Sequence, residues 1–228
     1  MRLLRLPRND KLTRGIRKFC GGKRMISRSF AFCVALVINL ILAGIASADP
    51  LIFDYHGWHI DLTNAQGAEP AQQMVGAVKQ QLDIVEHVGL KPQVLEFMRT
   101  IKIWADPAGQ KFGPGHYARA TGVDLRVRRL DPHKPIILHE FLHAYHDRLL
   151  PDGFGNADIK TFFERGQQLW PAGSYMISNN REFFAVTASV YLFGDIVRPP
   201  HSRAQLRAKQ PRYYQWLADV FDDGRPRS

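Results

Sequence analysis

The chain has 228 residues, 45% hydrophobic and 23% charged, which suits one globular domain with an appended segment and no internal repeat or low-complexity tract. Its 31 Lys and Arg exceed its 21 Asp and Glu, but residues 1–29 hold ten of the basic residues and one acid, Asp10, leaving 21 against 20. The remainder is nearly neutral, which removes the composition argument for nucleic acid as a partner.

The basic front runs into FAFCVALVINLILAGI, uncharged from Phe30 to Ile45, and then into Ala46-Ser47-Ala48. A cationic segment, a short apolar helix and small side chains before a cut are the parts of an export signal. Residues 1–48 are therefore expected to be a signal peptide, with Met25 as an alternative start, and residues 49–228 a single mature domain, periplasmic or secreted. The apolar run is shorter than the roughly 20 residues of a spanning helix, so no stable membrane insertion is expected after cleavage. Cys20 and Cys33 leave with the leader. The mature chain then has no disulfide and no thiol nucleophile, and a metal site in it must be built from His and carboxylate.

Taken in order, LIFDYHGWHIDL from Leu51 alternates as a first strand, and Met74, Val78, Leu82 and Val85 recur at helical spacing before Gly89. PQVLEFMRT reads as a short helix, IKIWAD as a strand, GQKFGPGHYA as a glycine-rich loop, and TGVDLRVRRL as a strand with Val123, Leu125 and Val127 on one face. The segment GVDLRV is either an interior strand or an edge able to pair with an extended substrate. Helices are expected over 135–150, 157–169, 180–193 and 202–221, the last bent or broken at Pro211. In that last segment Leu206, Tyr213, Trp216, Leu217 and Val220 suit a core face. Strands first and helices after describe an α+β domain.

The helix over 135–150 carries HEFLHAYHD. His139 and His143 are one turn apart on one face, so two imidazoles can reach one ion. Glu140 falls beside that ion rather than on it, where its carboxylate can take a proton from an activated water; this is the chemistry of H-E-x-x-H. Leu138, Phe141, Leu142 and Tyr145 of the same helix are candidates for the core. His146 and Asp147 read as supporting or surface residues. His56 and His59, three apart on a strand, point to opposite faces and do not make a second metal site.

A catalytic zinc takes three protein ligands and keeps one open position. His146 and Leu149 stand where the extended motif H-E-x-x-H-x-x-G-x-x-H needs Gly and His, so the third ligand must come from a later helix. Glu164 and Glu182 compete. Glu164, followed by Arg165, reads as a solvated face. Glu182 lies in the first turn of its helix, capped by Asn179 or Asn180. Ala185, Ala188 and Ser189 are small enough for that helix to approach the histidines, and Glu182 is preferred.

HEFLH followed some forty positions later by REFFA resembles the gluzincin metallopeptidases, among them the zinc-binding domain of anthrax lethal factor and related exported bacterial peptidases. The likeness covers the two active helices, about residues 125–192. It implies a zincin-like domain, a small sheet followed by the active-site helix and further helices. It also implies Zn2+ held by His139, His143 and Glu182, Glu140 as base, Tyr175 as the phenol that stabilises an oxyanion, and a protein or peptide as substrate. Such enzymes commonly carry a second acid four residues after the ligand glutamate, and Val186 stands there. The expected activity is metalloendopeptidase. A zincin-fold binding module that has lost catalysis and a zinc amide hydrolase acting on a cell-wall peptide are the alternatives.

Overall fold

A computed structural model of the chain describes residues 51–65, 71–106, 113–126, 130–131, 133–222 and 224. The expected leader, residues 1–48, lies outside the described residues, as does Val127. No described helix is long and apolar enough to cross a membrane.

The segment expected to be one strand is a hairpin. β1 (Ile52–Tyr55) and β2 (Trp58–Asp61) pair antiparallel from Ile52 opposite Asp61 to Tyr55 opposite Trp58, leaving His56 and Gly57 as a two-residue turn. Both turn residues have positive φ, 48° and 86°, the twist that suits a tight hairpin. Trp58 is then fully buried, donates its indole N–H to the Met98 carbonyl at 2.9 Å, and stacks on Phe141 with ring centroids 5.9 Å apart. Burial of two such rings is worth about 2–3 kcal/mol each and fastens the hairpin to the rest of the fold.

Helices α1 (Ala71–His87) and α2 (Pro92–Arg99) follow, and α1 buries Met74, Val78, Leu82 and Val85 as their spacing requires. Next come β3 (Ile103–Ala105), β4 (Gly115–Ala118) and β5 (Gly122–Leu125). The five strands lie in the order β1, β2, β3, β5, β4; β2, β3 and β5 run parallel, and the two outer pairs are antiparallel. One expectation changes here and one of two open alternatives is met. The end of the glycine-rich stretch is a strand, β4, and it takes the sheet edge, while the GVDLRV segment supplies the interior strand β5.

The active-motif helix α3 (Ile136–Arg148) has no side-chain cap of its own. Gln81, fully buried on α1, does that work from a distance. Its Oε1 accepts from Ile137 N–H at 3.2 Å, and its Nε2 donates to the carbonyls of Asp131 and Lys134 at 2.8 and 2.5 Å. On α3, Ile137, Leu138, Phe141 and Leu142 are buried, and Tyr145 packs against the core partly exposed.

The remaining helices match their expected spans. In α4 (Ala157–Leu169) Asn156 accepts from Ile159 N–H, and in α5 (Asn180–Phe193) Asn179 accepts from the N–H groups of Arg181 and Glu182. The last segment divides at Pro211 into α6 (Arg203–Lys209) and α7 (Pro211–Phe221). Leu206, Tyr213 and Leu217 are buried, with Trp216 and Val220 packed against them. The whole is a small mixed sheet with several helices, an α+β fold.

Candidate metal centre

Helices α3 and α5 pack against each other. Ala185 and Ala188 on α5 are fully buried small residues on the helix whose Phe184 meets His146 of α3 and whose first turn lies at the middle of α3. Asn179 holds the Glu182 N–H, so the short Glu182 side chain leaves α5 at its N-terminal end, toward the histidines.

There His139 Nε2 and His143 Nε2 are 3.1 Å apart, Glu182 Oε2 lies 3.3 Å from the first and Oε1 3.5 Å from the second. The imidazole planes are nearly perpendicular, at 89°. Among the described residues this is the group of three His, Cys, Asp or Glu side chains that presents one ligand atom each within 4.8 Å of one another. Glu164, the competing candidate, is exposed on α4 and takes no part.

The donor set fits a small divalent cation. Glu182 Oε2 is buried and, despite the nearby imidazole, has no hydrogen-bond partner, an orphaned acceptor in a place where such groups are costly. Burial pushes the Glu182 pKa up, but the two imidazoles outweigh it and hold the carboxyl below its ordinary range. Burial likewise draws His139 down, and Glu182 and Glu140 reverse this, leaving its pKa raised. The site is thus biased toward holding positive charge, and two nitrogens with one carboxylate are the ligands zinc takes.

Glu140 is buried beside this cluster. Its side chain crosses β4 where that strand has Gly115: a Cβ there would lie 3.0 Å from Glu140 Cγ and 3.2 Å from Oε1. Glycine at this point keeps room for the carboxylate, a role hidden in the sequence, where it reads only as a loop residue. Tyr175 is on the 3-10 turn Tyr175–Ile177, 45% exposed and close enough to Glu182 for that carboxylate to act on its phenol. Burial first and Glu182 second raise its pKa, so the phenol keeps its proton and is a donor at neutral pH.

Asp147 and His146 are not surface residues. Both oxygens of Asp147 are engaged, Oδ2 accepting from Tyr117 Oη at 2.9 Å and Arg119 Nε at 2.8 Å, Oδ1 from Arg119 Nη2 at 2.6 Å. Asp147 therefore clasps β4 to α3, and its side-chain partners among the described residues are Tyr117 and Arg119 rather than a histidine. His146 is fully buried between the rings of Phe154 and Phe184, and neither ring nitrogen has a partner. Burial, aided by the charges of His143 and Arg181, lowers its pKa to about 4. Val186, at the position of the second acid such enzymes commonly carry, is buried among apolar side chains. His56 and His59 are engaged separately, with Asp83 at 3.3 Å and Asp54 at 2.9 Å.

No protein-family model matches the chain, and no curated protein matches it. Among solved structures, the Pro-Pro endopeptidase PPEP-2 from Paenibacillus alvei is similar, with a TM-score of 0.47 and 19% sequence identity. The likeness covers 68% of this chain and 94% of that one.

Proposed function

We propose that this chain is an exported zinc-dependent metallopeptidase of the zincin type, cutting peptide bonds within a protein or peptide substrate. One observation carries the reading. His139, His143 and Glu182, from two helices, converge on one point, with the buried carboxylate of Glu140 on the same turn as the histidines. Zinc bound by these three side chains would supply Lewis acidity toward a water molecule and a substrate carbonyl. Glu140 then serves as the base that takes a proton from the attacking water and afterwards gives it to the departing amine nitrogen. Tyr175, protonated and at the rim, donates to the oxygen on which negative charge develops. β4 is the edge strand next to Glu140, so an extended peptide that adds to it runs past the base. Export rests on the basic and apolar front of the chain and its Ala46-Ser47-Ala48 end.

Buried Val186 favours a second reading, a metal-holding module without turnover. One set of measurements decides between them: zinc per chain after dialysis, and hydrolysis of casein with and without a chelator. The peptidase reading expects near-stoichiometric zinc that Glu182→Ala loses and Glu164→Ala keeps, together with chelator-sensitive cleavage. Glu140→Gln should retain zinc and lose cleavage by at least a thousandfold. Zinc without cleavage in the parent chain supports the module; a folded parent without zinc ends both.

A further inference from the structure

Among the described residues, two guanidinium groups near the candidate site, Arg126 and Arg198, are in opposite conditions. Arg126, just after β5, is committed to buried Asp124, with Nε 2.6 Å and Nη2 3.2 Å from its two oxygens. Arg198, on the turn after α5, lies with its guanidinium 4.9 Å from the centroid of the Tyr175 ring, and its charge is felt at His139. Among the described residues no carboxylate pairs with Arg198 and no acceptor takes a hydrogen bond from it. Glu182 faces the two histidines at 3.3 and 3.5 Å, and neither it nor Glu140 forms an ion pair with Arg198.

The turn that carries Arg198 is tied down. Ile196 N–H donates to the His201 carbonyl at 2.9 Å, His201 N–H to the Arg198 carbonyl at 2.9 Å, and Ser202 N–H to the Pro200 carbonyl at 2.7 Å. Arg203 closes the end of α5 by donating to the carbonyls of Tyr191 and Leu192 at 2.8 and 2.9 Å. A cation on a fixed backbone, stacked on an aromatic ring and lacking an anion, is prepared for an anion from outside. Little ordering remains to be done when one arrives. The planar guanidinium suits a carboxylate, which it can meet with two parallel N–H donors.

We infer that Arg198 is a specificity-determining residue that receives a carboxylate of the substrate next to the bond to be cut. The inference rests on the peptidase reading, and it leaves two sources for the carboxylate, an acidic side chain or the free C-terminus of a peptide. The test is fluorescence anisotropy with the zinc-loaded Glu140→Gln chain, which binds without turnover. Three labelled peptide sets of equal length are used: a neutral amidated frame, the same frame with one glutamate scanned along it, and the neutral frame with a free C-terminus.

The expected result is that one carboxylate set binds about tenfold tighter than the neutral frame. Adding Arg198→Gln removes the gain and leaves neutral-frame affinity unchanged, and Arg198→Lys keeps part of it. Arg198 is on the surface, and circular dichroism checks that the variants fold. A gain with glutamate assigns the site to acidic side chains; a gain with the free terminus assigns it to terminal carboxylates. Equal affinity for all three sets, or a preference that survives Arg198→Gln, overturns the inference. The two readings fail separately. Casein cleavage by the parent chain without carboxylate preference would leave the peptidase and remove this role for Arg198, whereas carboxylate preference without any hydrolysis would do the reverse.

Discussion

His146→Leu is expected to make the fold more tolerant of acid. The imidazole has no solvent exposure and no hydrogen-bond partner, and its pKa is about 4 in the folded chain against an ordinary value of 6.5. The unfolded chain therefore binds the proton first, and the stability linked to His146 is present above about pH 6.5 and is lost as the pH falls toward 4. With those two values the loss between pH 7 and pH 5 comes to about 2 kcal/mol. Leucine has similar bulk and does not titrate, so the variant escapes this loss; at pH 7 it should match the parent or exceed it by about 1 kcal/mol, since two unsatisfied nitrogens are gone. The assay is urea unfolding of both chains at pH 7 and pH 5 with chelator present, so that titration of His139, His143 and Glu182 is common to the two. The gap should widen by about 2 kcal/mol at the lower pH. Parallel stability curves would show that His146 takes up its proton without unfolding, through water or movement of Phe154 and Phe184, and the argument from burial would fail.

Gly115→Ala places a methyl group against Glu140 and should lower casein cleavage about tenfold through misplacement of the base, with zinc content unchanged by atomic absorption. Tyr175→Phe removes one donor at the rim; kcat for a peptide substrate should fall about 10- to 100-fold while KM and zinc content stay near the parent values, as steady-state kinetics will show.

The helical half of the fold was readable because its signals are local. Asn156, Asn179 and Ser202 each accept from a nearby N–H of the helix they start, and Pro211 opens a new helix where no backbone donor is needed. The His139 and His143 pairing needs nothing beyond helical spacing, and Glu182 could be reached by asking which later helix has small residues beside a first-turn acid. The sheet was less legible. The hairpin turn uses His56 with positive φ, a residue that does not announce a turn as Asn-Gly would. β4 was hidden because Gly115 reads as loop, although Glu140, twenty-five positions away, is the reason for glycine there. Arg119, Tyr117 and Arg198 likewise act on partners far along the chain, through contacts that no window of sequence contains.

The clasp of Asp147 on Tyr117 and Arg119 has a consequence for where a substrate would be cut. Tyr117 lies within β4 and Arg119 just past its end, so that end of the strand is tied to α3, while Gly115 at its start lies close against the Glu140 side chain. For a peptide paired along β4, backbone hydrogen bonding and side-chain facing admit only shifts of two residues, about 7 Å each. Under the proposed function such a strand would act as a ruler whose zero mark is the Glu140 carboxylate. The bond presented to Glu140 would then be chosen by pairing register, in steps of two residues.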